Sequence, residues 1–125
     1  MTPLVFVALA VAGGLGAATR FAVDGIIGTR VRTVFPWATF FINVSGSLIL
    51  GLLTALAADT VVPTALALVA GTGFLGGYTT FSTTSFETVR LLGEKRYAVS
   101  FANAVGTLVV TVAGAALGYW VGSLI

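Results

Sequence analysis

The chain has 125 residues, of which 58% are hydrophobic and only 8% are charged, and its formal net charge is +2. A soluble domain normally carries about 25% charged residues, so this composition excludes a soluble protein with a water-facing surface. The chain has no cysteine and no histidine, and only four residues are Asp or Glu. This inventory rules out disulfides, disfavours zinc and di-iron sites, and provides no nucleophile–base pair. The sequence therefore predicts an integral membrane protein that is not an enzyme and has no nucleic-acid partner.

Four apolar segments predict four membrane-spanning helices, because about 20 apolar residues cross a hydrocarbon core as a helix. In chain order the segments are residues 3–23, 34–57, 62–74 and 97–124. No basic residues precede the first segment, so we expect it to remain as a span and not to be a cleaved signal peptide. The connections are short and contain no linker or low-complexity tract. The predicted fold is thus all-α, with one four-helix transmembrane domain covering residues 1–125.

The third segment is irregular. It contains Gly71 and Gly73 and continues into the stretch GGYTTFSTTSFE at residues 76–87, which begins with two more glycines. Six of the seven positions from Thr79 to Ser85 carry hydroxyls. Glycines followed by a Ser/Thr cluster predict a non-helical break over residues 76–83, at the centre of the membrane. Broken helices often form ion sites, because exposed carbonyls bind cations and helix N-termini favour anions. The alternative is a glycine kink with hydroxyls bonded back to the helix, which we consider less favoured.

Two stripes of polar side chains recur with i, i+4 spacing, which places each stripe on one helix face. The stripes are Thr39, Asn43 and Ser47 in the second segment, and Asn103, Thr107 and Thr111 in the fourth. Such stripes either join neighbouring helices through hydrogen bonds or line a polar path through the membrane.

Small residues also recur at helical spacing and predict close helix packing. Gly114, Gly118 and Gly122 form one such pattern, and Gly14 with Ala18 forms another. Two charged residues, Arg20 and Glu87, lie near segment ends, and we expect both to be structural. The sequence leaves open whether they form an ion pair.

Three stretches together resemble the fluoride channel family called Fluc or CrcB. They are GGLGAATRF at 13–21, TFFINVSGS at 39–47 and GGYTTFSTTSFE at 76–87. The resemblance implies a small dimeric channel that lowers cytoplasmic fluoride by passive export and confers fluoride resistance. It also implies two antiparallel subunits that form two pores, with a structural Na⁺ at their interface.

The resemblance assigns roles to residues by their positions in the motifs. The implied pore and anion-binding residues are Asn43, Phe81, Thr39, Ser82, Thr83, Thr84, Thr107 and Thr111. The implied Na⁺ ligands are the backbone carbonyls of Gly76 and Thr79. Arg20 and Glu87 match characteristic charges of the family.

The sequence departs from the family pattern at two positions. The family's phenylalanine box usually reads F-S-T-F, but here it reads Phe81-Ser82-Thr83-Thr84, so the second ring is absent. Asn103 stands where the family often has tyrosine. The missing ring favours a dimer in which a paralogue supplies the second subunit.

The distribution of basic residues predicts how the chain is oriented in the plasma membrane. With four spans, five basic residues fall on one side, namely Arg30, Arg32, Arg90, Lys95 and Arg96, and none falls on the other. By the positive-inside rule both termini should face outwards. Such a bias disfavours insertion of one chain in both directions, so a paralogue is slightly favoured over a second copy as the antiparallel partner.

Two other classes of function remain as alternatives. A small four-helix drug/proton antiporter has a similar size, but it needs a carboxylate inside the first helix, and we expect Asp24 to lie at the end of that helix. A non-conducting structural subunit of a heterodimeric channel would need only the glycine faces, and it leaves the hydroxyl cluster unexplained.

Overall fold

The computed structural model describes all 125 residues, and its regular structure is entirely helical. We number five helices in chain order: α1, Pro3–Arg30; α2, Trp37–Ala58; α3, residues 64–78; α4, Phe81–Gly93; and α5, Tyr97–Gly122. Helices α1, α2 and α5 are each long and apolar enough to cross a membrane. Helices α3 and α4 are shorter and follow one another with only Thr79 and Thr80 between them. The predicted all-α fold is confirmed, although the third predicted span corresponds to two helices.

The ends of α1 and α2 differ from the predicted ends. Helix α1 continues seven residues beyond the predicted end at Val23, and its last turn is closed by a bond from the Val31 N–H to the Ile27 carbonyl. Asp24 therefore lies inside the helix, because one exposed carboxylate does not interrupt the backbone hydrogen bonds. Helix α2 begins at Trp37 and not at Val34, since Pro36 disfavours helical backbone in the residue before it.

The helices pack in two pairs through glycines. A Cβ atom at Gly16 in α1 would collide with the Phe74 carbonyl of α3, and a Cβ at Gly77 in α3 would collide with the Gly13 carbonyl of α1. Each glycine thus lets the backbone of the other helix approach directly, as is common between membrane helices. A Cβ at Gly14 would meet no atom within 4 Å and Ala18 is exposed, so these two residues do not form the predicted contact within this chain. The contact uses the adjacent face of α1.

Helices α2 and α5 form the second pair in the same way. Gly51 in α2 faces the Ala115 carbonyl, and Gly118 in α5 faces the Leu48 carbonyl. A Cβ at Gly122 would lie only 2.9 Å from the Leu52 carbonyl oxygen, whereas a Cβ at Gly114 would make ordinary contacts. The predicted packing role of the glycine pattern in α5 is confirmed at its last two positions.

Two helices contain π-helical turns. One covers Leu68–Leu75 within α3, and the other covers Ala102–Gly106 within α5. Such turns are often found at functional sites because they change the direction of the side chains that follow. The turn in α5 contains Asn103, whose side chain is almost fully buried.

The interior of the chain is unusually polar. Six polar residues are buried, namely Thr39, Asn43, Thr80, Ser100, Asn103 and Thr107, against five apolar ones. Many large apolar side chains are exposed instead, including Phe6, Phe21 and Trp120. This distribution suits a protein surrounded by lipid with its polar groups gathered inside.

Candidate functional site

The site is centred on the two residues that separate α3 from α4. Thr79 and Thr80 both have extended backbone, with φ of −76° and −148°. The Thr80 hydroxyl accepts a hydrogen bond from the Thr83 N–H at 3.2 Å, which caps the N-terminus of α4. The non-helical stretch is therefore two residues long and not the eight predicted for residues 76–83. Helix α3 continues through its glycines because the Thr79 N–H still reaches the Leu75 carbonyl at 2.9 Å.

Asn43 in α2 holds this extended pair from the side. Its Nδ2 donates to the Thr80 carbonyl at 2.9 Å, and its Oδ1 accepts from the Thr80 N–H at 2.8 Å. The amide thus forms a two-point bond with the N–H and C=O of one residue, as a neighbouring β-strand would. Since Asn43 and Thr80 are both buried, this contact satisfies backbone groups that the break would otherwise leave unpaired.

The Thr84 hydroxyl completes the same group of bonds. It accepts from Asn43 Nδ2 at 2.9 Å and donates to the Thr80 carbonyl at 3.1 Å. Both N–H groups of the Asn43 amide are consequently bonded within the chain.

Two cavities lie beside the extended pair. The first, which we call the Phe81 cavity, has a volume of about 280 Å³ and is lined by Asn43, Ser47, Leu50, Thr79, Thr80, Phe81, Thr84, Ala104, Thr107, Leu108 and Thr111. The second, which we call the Arg20 cavity, has a volume of about 240 Å³ and is lined by Ala17, Arg20, Phe21, Asp24, Thr39, Ile42, Thr80 and Thr83. Thr80 lines both cavities, so the extended pair forms part of the wall between them.

The residues that the sequence assigned to a single anion path lie in two different cavities. The Phe81 cavity contains five of them, namely Asn43, Phe81, Thr84, Thr107 and Thr111. The Arg20 cavity contains Thr39 and Thr83 together with Arg20. Ser82 is exposed and lines neither cavity.

The pore residues predicted from the sequence did not include Thr80 or Ser47. Thr80 belongs to the hydroxyl run, but its importance comes from its backbone, which a sequence pattern does not reveal. Ser47 was visible as the third member of the stripe with Asn43. Its hydroxyl lines the Phe81 cavity and has no hydrogen-bond partner within the chain.

The two charged residues do not pair with one another. Arg20 Nη1 lies 3.5 Å from the Thr79 carbonyl, while Glu87 Oε1 accepts from the Thr39 hydroxyl at 2.9 Å. The single ion pair in the chain joins Arg96 and Glu94 instead. The other oxygen of Glu87 is buried and has no partner. Each of these charges therefore contacts the polar interior near the break.

The C-terminal end of α3 presents unused carbonyl oxygens. Gly76, Gly77 and Tyr78 precede the break, and no side-chain donor or backbone hydrogen bond outside the helices reaches their carbonyls. Gly76 is exposed and Thr79 is half-buried. No cluster of three or more His, Cys, Asp or Glu could hold a metal ion. Uncharged carbonyl oxygens are hard donors that fit a small monovalent cation.

Asn103 joins α4 to α5. Its Nδ2 donates to the Thr88 hydroxyl at 2.9 Å and lies 3.3 Å from the Thr84 carbonyl. The Ser100 hydroxyl donates to the Thr88 carbonyl at 2.7 Å. The sequence places Asn103 in a polar stripe and shows it as a departure from the family pattern, and the structure shows that it supports the first turns of α4.

These features define the class of protein. A helical membrane protein with a polar interior and two polar cavities at an interrupted helix belongs with the channels and transporters, which move polar solutes or ions across lipid.

Comparison with known proteins narrows this class. Residues 7–119 match the family model described as "CrcB-like protein, Camphor Resistance (CrcB)". The chain is 48% identical to the fluoride-specific ion channel FluC 1 of Leifsonia xyli subsp. xyli over 124 residues, which cover 99% of this chain and 90% of that protein. It is 42% identical to the fluoride-specific ion channel FluC 2 of Mycobacterium tuberculosis, covering 99% of this chain and 95% of that protein. The chain therefore belongs to the CrcB family, a family of ion channels and not of enzymes.

Proposed function

We propose that this chain is a subunit of a fluoride-selective channel. The observation that carries the proposal is the similarity, over nearly the whole chain, to proteins named fluoride-specific ion channels. The Phe81 cavity supports it, because its polar groups are hydroxyls and an amide and it contains no charged side chain. Dipoles can replace part of the water shell of fluoride and still release the ion, whereas a fixed positive charge would hold it too strongly.

The anion path passes the Phe81 cavity and continues towards the Arg20 cavity. Hydroxyls of Thr107 and Thr111 line the first cavity, and those of Thr39 and Thr83 line the second. Thr39 and Thr111 would have to exchange their present bonds, to Glu87 and to the Thr107 carbonyl, for a bond to the ion. The Phe81 ring offers its positive edge to the anion. Ser82 follows Phe81 on an exposed turn and belongs to the same path where a second subunit covers it.

A second subunit completes the site. Phe81 is 87% exposed although it lines a polar cavity, so the cavity is open beside this ring, and a second subunit would cover it. We propose that α3 and α4 together cross the membrane as a broken third span. The second subunit packs antiparallel against it, and a paralogue is favoured over a second copy for the reasons of charge and ring loss given above.

The free carbonyls at the end of α3 would hold the structural Na⁺. Gly76 and Thr79 are the proposed ligands, and the exposed position of Gly76 suits a site shared between two subunits. When bound, the ion would supply fixed positive charge at the break. The Gly76 carbonyl accepts no hydrogen bond outside the helices. The Thr79 carbonyl lies 3.5 Å from Arg20 Nη1, which would have to turn aside when the ion binds.

Export needs no energy source other than the membrane potential. We propose that the chain lies in the plasma membrane with both termini outside, which places Arg30, Arg32 and Arg90 in the cytoplasm. A negative-inside potential then drives the anion outwards at about 2.3 kcal/mol per 100 mV.

Asp24 makes one alternative worth testing. Contrary to expectation it lies within α1, and it lines the Arg20 cavity, where a drug/proton antiporter would place its carboxylate. Arg20 lines the same cavity.

Fluoride efflux from liposomes tests the proposed function. Liposomes loaded with fluoride and containing the chain, alone and with a candidate paralogue, should release fluoride when a K⁺ ionophore relieves the charge imbalance. Chloride-loaded liposomes provide the selectivity control. The rate should not depend on a proton gradient, and Asp24→Asn should keep that independence. Failure of both assemblies to release fluoride would contradict the proposal, and coupling to protons would favour the antiporter.

A further inference from the structure

We propose that Thr84 is a positioning residue that withholds the Asn43 amide from anions in the Phe81 cavity. This inference rests on the proposed fluoride conduction and concerns how strongly the cavity holds the ion. The bonding of Asn43 conflicts with a simple role as a hydrogen-bond donor to an anion. Asn43 lines the cavity and is the strongest polar donor there, yet both of its N–H groups are already bonded within the chain.

The orientation of the amide is fixed by its partners. The Thr80 N–H can only donate and the Thr80 carbonyl can only accept, so Oδ1 must face the first and Nδ2 the second. This arrangement leaves one N–H of Nδ2 unassigned. That N–H donates to the Thr84 hydroxyl at 2.9 Å.

Thr84 is well suited to keep this N–H occupied. Its hydroxyl donates its own hydrogen to the Thr80 carbonyl at 3.1 Å, so its lone pairs face Asn43 and it acts as an acceptor. Because Thr84 also lines the Phe81 cavity, the bond that it accepts lies at the cavity wall. If the hydroxyl is removed, one N–H is released beside the space that an anion would enter.

Among the other hydroxyls of the cavity, those of Thr79, Thr80 and Thr111 donate within the chain at 2.7–3.0 Å, whereas two have weak or no internal bonds. Ser47 has no partner within the chain, and Thr107 has a single side-chain contact, at 3.5 Å from Asn103 Oδ1. Hydroxyls can rotate to follow a passing ion, whereas an amide fixed at two points cannot. With Thr84 present, the cavity therefore offers mobile donors and holds fluoride loosely.

Thr84→Val tests the inference, because valine keeps the shape of threonine and loses the hydroxyl. Thr84→Ser is the matched control, since it keeps the hydroxyl. In fluoride efflux assays with the assembly that conducts, Thr84→Val should lower the half-saturating fluoride concentration about tenfold, as one added charge-assisted hydrogen bond would, and should also lower the maximal rate. Thr84→Ser should match the parent in both quantities.

A second measurement reports on the amide itself. The chain contains two asparagines, Asn43 and Asn103, and no glutamine, so selective ¹⁵N labelling gives two side-chain NH₂ pairs that an Asn103 variant assigns. Without fluoride, one Asn43 amide proton in Thr84→Val should lose the downfield chemical shift that a hydrogen bond causes, and it should exchange faster with water. Neither change should occur in Thr84→Ser. Addition of NaF should change the chemical shift of that proton in Thr84→Val and leave it unchanged in the parent.

Several results would overturn the inference. These are an unchanged Asn43 pair in Thr84→Val, a serine variant that behaves like the valine variant, and a parent Asn43 pair that already responds to fluoride. An unchanged half-saturating concentration in a conducting channel would do so as well. A parent that carries no fluoride contradicts the proposed function instead, while the spectra without fluoride still decide whether Thr84 holds the amide.

Discussion

The contact between α2 and α5 predicts opposite effects for two alanine substitutions four residues apart. In Gly118→Ala, the new methyl group would collide with the Leu48 carbonyl oxygen and would lie only 2.9 Å from the Leu52 nitrogen and 3.0 Å from the Leu48 carbonyl carbon. All three atoms belong to the backbone, so no side chain can rotate away. In Gly114→Ala, the nearest atom is the Val44 carbonyl oxygen at 3.6 Å, which is an ordinary contact.

The expected size of the difference follows from these distances. Carbon atoms attract one another best at about 3.5–4.0 Å, so Gly118→Ala must push the helices apart by several tenths of an ångström or more. Overpacking of this kind costs about 1–3 kcal/mol. Gly114→Ala has no such cost, and alanine is a better helix former than glycine by up to about 1 kcal/mol. The gain in helix propensity applies to both variants and cancels, so their free energies of unfolding should differ by the overpacking cost alone, about 1–3 kcal/mol.

Unfolding by SDS in mixed micelles, followed by circular dichroism, measures this difference. Gly118→Ala should unfold at a lower SDS fraction than the parent, and Gly114→Ala at an equal or higher one. Equal stabilities of the two variants, or a more stable Gly118→Ala, would refute the close approach of α2 and α5.

Three further predictions concern the site. Asn43→Asp should impair fluoride efflux and lower stability, because it removes both bonds donated by the amide and places a negative charge beside the Thr80 carbonyl. Phe81→Ile should reduce fluoride efflux with little loss of stability, since the ring is exposed within this chain and its edge is lost. Replacement of Na⁺ by a large organic cation during purification should weaken subunit association, because the carbonyls of Gly76 and Thr79 would lose the ion that joins them.

Each of these predictions has its own control. Size-exclusion profiles show whether the Asn43 and Phe81 variants assemble, and parent-like efflux from well-assembled variants would remove both residues from the path. For the cation, replacement of chloride by another anion at constant Na⁺ is the control. Subunit association that is indifferent to Na⁺ would contradict the carbonyl site.

The sequence predicted the helices better than their interruption. Apolar runs identify spanning helices because lipid demands them, so α1, α2 and α5 were found with errors only at their ends. The break was overestimated because glycines at 76 and 77 were interpreted as helix breakers. Gly77 instead remains helical and lets the backbone of α1 approach. Which carbonyls and amides pair cannot be inferred from residue types alone, and the two-point bond between Asn43 and Thr80 was therefore not foreseen.

The same limit applies to the cavities. Stripes at i, i+4 spacing correctly grouped Asn43 with Ser47, and Thr107 with Thr111, since each group lies on one face of a regular helix. The pattern could not reveal that Thr39, one turn before Asn43, lines the other cavity. That separation depends on where the extended Thr79–Thr80 pair crosses α2, which is a property of the packed structure.

The division of the third span into α3 and α4 has a consequence for how the chain enters the membrane during its synthesis. Neither piece is a candidate spanning helix by itself, whereas α1, α2 and α5 are. Partitioning of isolated helices into lipid therefore favours these three segments more than residues 64–93, whose two helices are shorter than about 20 residues. Residues 64–93 must instead enter against helices that are already inserted, with Gly13 and Gly16 of α1 receiving α3, and Asn43 of α2 receiving the break. Insertion of this span is thus a folding step, and substitutions at these contacts should reduce the yield of correctly inserted protein before they affect any ion.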